Sequence, residues 1–118
     1  TRIVPTSDID NDWILMDIGP KTVALFDAHL QTAKTVMWNG PMGVAEFSNF
    51  AKGTSEIANR LSLRSQGISI AGGGSTSQMI HNLGLSSSYT HVSTGGGASL
   101  EFLKGKDLPA IQALLDKN

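Results

Sequence analysis

Two glycine triplets hold the residues best suited to chemistry. One lies in "ISIAGGGSTSQMI" (68–80), the other in "HVSTGGGASL" (91–100). Both follow a short apolar run and precede a helix-like segment. Without a Cβ, a glycine backbone can close on a ligand and adopt a positive φ. A helix that follows adds free N–H groups and a positive dipole end. Together these make an anion site suited to phosphate. A lone triplet also suits an ordinary tight turn. Further glycine turns, "DIGPK" (17–21) and "WNGPMG" (38–43), follow two other apolar runs. Gathered on one edge, the turns suit a nucleotide's phosphates and a phosphoryl group in transit. No G-K-[ST] ending is present, so this is not a Walker A loop, and it does not match G-x-G-x-x-G either.

The elements that must position these turns are legible as a rhythm. Apolar runs at 14–18, 35–38, 68–71 and 91–93 read as strands, and their near-continuous apolar character suits a parallel sheet buried on both faces. Helical spacing follows each glycine turn or irregular loop. Pro20 opens the first helix, with Val23, Phe26, Leu30 and Ala33 on its apolar stripe. A second begins near Thr54 with Ile57, Ala58 and Leu61. Ser75 and Gln78 form a capping box for a third, which buries Met79, Ile80 and Leu83 and ends at Gly84. A short fourth runs from Ala98 to Lys104, and Pro109 opens a fifth. Strand alternating with helix predicts a Rossmann-like α/β fold with a mainly parallel sheet and flanking helices. In such sheets ligands bind beyond the carboxyl ends of the strands.

Composition narrows the class. Hydrophobic residues make up 40% and charged residues 16% of 118 residues, which suits one soluble globular domain. A net charge of −1 gives no basic field for nucleic acid or an anionic membrane. No apolar run is long enough to span a bilayer, and the opening "TRIVPTSDID" lacks a secretory h-region. With no cysteine, thiolate chemistry is excluded. His29, His81 and His91 lack metal-ligand spacing. Glu46 is close enough to "NGPMG" to reach a ribose hydroxyl, though solvation on the surface explains it equally. Asp17, before a glycine turn, is suggestive only, and Trp13 and Trp38 suit a core.

"DIGPKT", "WNGPMGVAEF", "FAKGT", "GGG" before Ser75-Thr76, and "HVSTGGGASLEFLKGKDLP" closely resemble phosphoglycerate kinase, in order and spacing, over about residues 12 to 116. The resemblance implies reversible phosphoryl transfer between 1,3-bisphosphoglycerate and ADP, giving 3-phosphoglycerate and ATP. It implies two Rossmann-like domains closing over a cleft, in a usually monomeric, cytoplasmic enzyme. Residues 1–118 look like the latter part of the C-terminal domain, which binds the magnesium nucleotide. Carried over by position, Asn39 lies near the nucleotide phosphates, Gly43 and Val44 line the nucleotide pocket, and Glu46 contacts the ribose. Gly73, Gly74, Ser75 and Thr76 form the loop at the phosphates. Backbone N–H groups of Gly73 and Gly96 face the transferring phosphoryl group. Ser93 and Thr94 fall where the family bends on closure.

Two positions depart from the family's pattern. Ser75 stands where the family usually has an aspartate that helps hold the nucleotide's magnesium, and a neutral hydroxyl is a poorer ligand for a hard cation. No residue of this chain is therefore assigned as a metal ligand. Ala45 stands where phenylalanine is common. The phosphoglycerate site of the N-terminal domain, with its arginine and lysines, has no counterpart here. The isolated 118 residues are expected to be inactive, and their truncated sheet is expected to expose an edge and apolar faces. The other reading is a non-catalytic nucleotide-binding or interaction module of the same fold.

Overall fold

The computed structural model describes residues 1–115; the last three residues of the domain assigned from sequence lie outside them. Three strands, β1 (Thr35–Asn39), β2 (Ile68–Gly72) and β3 (His91–Ser93), form one parallel sheet in the order β1-β2-β3. The helices are α1 (Pro20–Thr32), α2 (Lys52–Ser62), α3 (Gly74–Asn82), α4 (Gly96–Leu103) and α5 (Pro109–Leu115). This is the expected α/β architecture. No helix among the described residues is long and apolar enough to cross a membrane.

The expected strand at 14–18 does not form. The Met16 carbonyl accepts one bond, from the Val44 N–H (2.9 Å), and the partner is a loop rather than a strand. Ile14 and Leu15 remain 79% and 70% exposed. An apolar run reports a preference for burial, not the presence of a neighbour to pair with.

Burial on both faces of the sheet is also corrected. Val36 and Trp38 of β1 and Ser69 and Ala71 of β2 alternate onto one buried face, while Met37 and Ile70 on the other are only half-buried. The buried face packs with Val23 of α1, Ile57, Ala58 and Leu61 of α2, Ile80 of α3, and Tyr89. Neither α4 nor α5 contains a buried residue, so the second face lacks a comparable cover. Arg60 of α2 donates to Asp27 of α1 (2.6 Å), tying those helices together. The Gln31 amide, then Arg60, holds the Asp27 carboxyl below its usual range.

The helix ends follow local rules, with one correction. Gly73, at φ +100°, is the N-cap of α3, and no side chain caps it. Ser75 lies inside the first turn, and Gln78 donates to Asn82 (2.8 Å) instead of reaching back to the cap. The positive φ turns the chain earlier than the Ser-x-x-Gln spacing suggests. Leu83 is exposed rather than part of the buried face. At the far end, Gly84 (φ +70°) closes a Schellman motif: its N–H reaches the His81 carbonyl, and the Leu85 N–H reaches that of Ile80. Helices α2 and α4 each start two residues earlier than expected.

The Tyr89 hydroxyl donates to the Ala58 carbonyl (2.9 Å) within the core, and burial pushes its pKa far above the usual tyrosine value. A raised pKa means the folded state resists ionisation. Its contribution is intact below about pH 10, the unfolded value, and is lost as pH rises beyond it. Denaturant melts from pH 8 to 11 should show this alkaline loss. Tyr89→Phe should flatten that slope and cost about 1 kcal/mol at pH 8. The exposed apolar side chains, Ile14, Leu15 and Phe102 among them, predict concentration-dependent self-association in sedimentation. A monodisperse monomer with a cooperative melt would refute it.

Candidate functional site

The sheet register sets the site. Asn39 of β1 lies beside Gly72 of β2, and Gly72 beside Ser93 of β3. All three strands therefore release their glycine turns at one level. The two triplets meet there. A Cβ on Gly96 would lie 2.8 Å from the Gly73 Cα and 3.1 Å from its nitrogen. Asn39 sits between them. Its Nδ2 donates to the Gly96 carbonyl (3.2 Å), and its Oδ1 lies 3.0 Å from where a Gly73 Cβ would be.

Ser93 fastens this meeting point. Its carbonyl accepts from the Gly73 N–H (3.1 Å) and from the Ser77 hydroxyl (2.7 Å). Its own hydroxyl accepts from the Gly95 N–H and from the Ser99 hydroxyl, both at 3.2 Å. The Gly96 N–H donates to the Thr94 carbonyl (3.2 Å). The Gly73 and Gly96 N–H groups are thus engaged inside the chain. The first-turn N–H groups that a helix cannot pair with itself are those of Gly74, Ser75 and Thr76 in α3, and of Gly97 and Ala98 in α4. No side chain caps either helix, and neither first turn carries an acidic residue.

The two triplets use glycine for different reasons. Gly73 needs its positive φ, and Gly96 must make the close approach. Gly74 and Gly97 answer to neither demand: a Cβ on either would meet nothing within 4 Å.

A second cluster holds the loop after β1. The Thr54 hydroxyl, fully buried in the first turn of α2, accepts from the Met42 N–H (3.0 Å) and the Gly43 N–H (3.5 Å). Val44 is bonded to Met16, and Glu46 is exposed just beyond. No hydrogen bond joins Gly43, Val44 or Glu46 to the Asn39–Gly73–Gly96 cluster among the described residues. Sequence reasoning missed Thr54 and Ser77 as site supports. Ser77 follows the first triplet closely, which was a signal, whereas Thr54 meets Met42 across 12 residues and gave none.

The donor set fits phosphate, whose oxygens accept from uncapped N–H groups free of competing carboxylates. The Thr76 hydroxyl is buried here without a partner. A magnesium site built from protein carboxylates does not fit. Ser75 is exposed and neutral, and no group of three His, Cys, Asp or Glu residues among the described residues could hold a metal. A cavity of about 320 Å³ is bordered by Phe26, Leu30, Trp38 and Asn39, and one of about 800 Å³ lies around Trp13, Asp17 and Gly53. Asn39 sets the first beside the cluster; Gly73 and Gly96 line neither, and the exposure of Gly74, Ser75 and Gly97 makes the cluster an open edge.

Fold and site define an α/β protein with glycine turns gathered at the carboxyl edge of a parallel sheet. The family profile of phosphoglycerate kinase matches residues 1–106, and the chain belongs to that family. Phosphoglycerate kinase of Pseudothermotoga lettingae is 52% identical over 109 residues, covering 92% of this chain and 27% of that protein. That of Staphylococcus epidermidis is 53% identical over 114 residues, covering 97% of this chain and 29% of the relative. The phosphoglycerate kinase structure from Pyrococcus horikoshii OT3 superposes with a TM-score of 0.78 at 38% identity, covering 88% of this chain and 25% of that one. The Coxiella burnetii structure gives 0.73 at 42% identity, covering 83% and 25%. The chain thus spans little more than a quarter of the length of these relatives.

The steric contrast between neighbouring glycines predicts contrasting alanine variants. Gly96→Ala forces the two turns apart and should cost ~1–3 kcal/mol. Gly97→Ala, one residue on, should be neutral or stabilising by up to about 1 kcal/mol. Denaturant melts of the two variants check this directly.

Proposed function

We propose that residues 1–118 are the latter part of the nucleotide-binding C-terminal domain of a cytoplasmic phosphoglycerate kinase. The reaction is reversible phosphoryl transfer between 1,3-bisphosphoglycerate and ADP, giving 3-phosphoglycerate and ATP in glycolysis. This portion holds the magnesium nucleotide, while an N-terminal domain supplies the phosphoglycerate site. The observation that carries the reading is the meeting of Gly73 and Gly96 beneath Asn39 at the carboxyl edge of the sheet. Gly74 and Gly97 support it, because at both helix starts glycine leaves open space that no atom of the chain requires.

Each residue has a role in this proposal. N–H groups of Gly74, Ser75 and Thr76 bind the nucleotide phosphates. Gly73 and Gly96 shape the surface that faces the transferring phosphoryl group, and Asn39 keeps the two turns in register beside it. The N–H groups of Gly97 and Ala98 add positive potential on the other side. Phosphoryl transfer depends chiefly on such positioning and charge stabilisation. Gly43 and Val44 line the nucleotide pocket, and Glu46 meets the ribose. Magnesium carried by the nucleotide would neutralise phosphate charge, and this loop would offer it the neutral Ser75 hydroxyl and no carboxylate. Taken alone, the 118 residues are inactive.

The test is phosphoryl transfer from ATP to 3-phosphoglycerate by the longest product of this coding sequence, across a magnesium titration. Turnover should occur with Ser75. Ser75→Asp should lower the KM for magnesium-ATP about fivefold, equivalent to ~1 kcal/mol. Absence of turnover in both proteins, with ADP still bound, would favour the non-catalytic nucleotide module, which the neutral Ser75 also suits.

A further inference from the structure

Asp17 is a half-buried carboxylate that touches the loop after β1 from below. Its Oδ2 accepts from the Gly53 N–H (2.8 Å), the second residue of α2, and its Oδ1 accepts from the Ile18 N–H (2.8 Å). The carboxyl group fills the space that a Cβ would need on either Gly43 or Gly53. One side chain is therefore held at once by the start of α2 and pressed against Gly43. The next residue of α2, Thr54, accepts from the Met42 and Gly43 N–H groups. The chain of contacts runs from Asp17 to Gly53, then through Thr54 to the loop that carries Gly43, Val44 and Glu46. A further strut joins Met16, the neighbour of Asp17, to the Val44 N–H (2.9 Å).

We infer that Asp17 is a positioning residue for the nucleotide: it sets the height of the 42–46 loop by docking the start of α2 against Gly43. The inference rests on the nucleotide reading of that loop. Its chemistry is specific to a carboxylate of this length. Two oxygens must accept from two backbone N–H groups, and the helix start adds a favourable dipole. In Asp17→Asn, one oxygen becomes an NH2 group facing a backbone donor. Whichever way the amide turns, its NH2 opposes the N–H of Gly53 or of Ile18, which loosens the docking of α2 against Gly43. Glutamate does not substitute, because Gly43 and Gly53 leave no room for another methylene.

The experiment measures steady-state kinetics and thermal melts on the longest product of the coding sequence, well below every melting temperature. Asp17→Asn should raise the KM for ATP roughly tenfold, as expected for a misplaced hydrogen-bonded charge, with the KM for 3-phosphoglycerate unchanged. Thr54→Val, which leaves Asp17 intact, should raise the same KM by a smaller factor. Leu61→Ala is the control for lost stability: its melting temperature falls, but its KM values hold. If Asp17→Asn is too unstable to assay, Thr54→Val decides. Variants that lose stability while keeping the wild-type KM for ATP would overturn the inference. If the wild-type protein neither binds ADP nor transfers phosphoryl groups, the proposed function itself fails, before any variant is compared.

Discussion

The approach of Gly96 to Gly73 is the constraint that governs the site. Two backbone turns from neighbouring strands stand so close that one Cβ would push them apart. That closeness requires β2 and β3 to end at the same level, which the pairing of Gly72 with Ser93 provides. Register in a sheet is stepwise, and a slip of one residue would reverse every side chain. Ala71 buried on β2 and its partner Val92 on β3, packed against the same core, resist such a slip. Core packing thus holds the glycine turns in place from a distance.

Two polar anchors convert this frame into a site. The Ser93 carbonyl and hydroxyl bind the second triplet and the base of α3. The Thr54 hydroxyl binds the loop after β1, and the Asp17 carboxylate binds the start of α2 beneath it. Each anchor satisfies backbone donors that glycine-rich turns leave without neighbours in a ladder. The starts of α3 and α4 leave first-turn N–H groups that no side chain caps. The site is electrostatically one-sided: it offers donors, and no carboxylate lies in either first turn.

The chain also exposes surface that its own elements leave uncovered. Its site is an open edge, one face of its sheet is half-covered, and Ile14 and Leu15 project outward. Such surfaces need a partner layer, and the relatives with which this chain aligns are more than three times as long. Buried polar contacts stabilise the described edge.

Much of this molecule is legible in its residues alone. The glycine turns, the apolar runs of β1, β2 and β3, Pro20 at a helix start and Gly84 at a helix end all follow from local conformational rules. The expected strand at 14–18 and the expected cap at Ser75 fail for one reason: composition shows what a segment favours, not which neighbour it finds. Asp17 is no more than suggestive in the sequence because its partners, Gly43 and Gly53, are 26 and 36 residues away. Local pattern suffices for the order of β1 to β3 among α1 to α5, for the family and for the clustering of glycine where a helix begins. Folding in three dimensions settles the rest: that Gly73 needs its φ while Gly96 needs its closeness, that Asn39 bridges them, and that Asp17 supports the neighbouring loop. Those are facts of distance between remote residues, and local propensity has no term for distance.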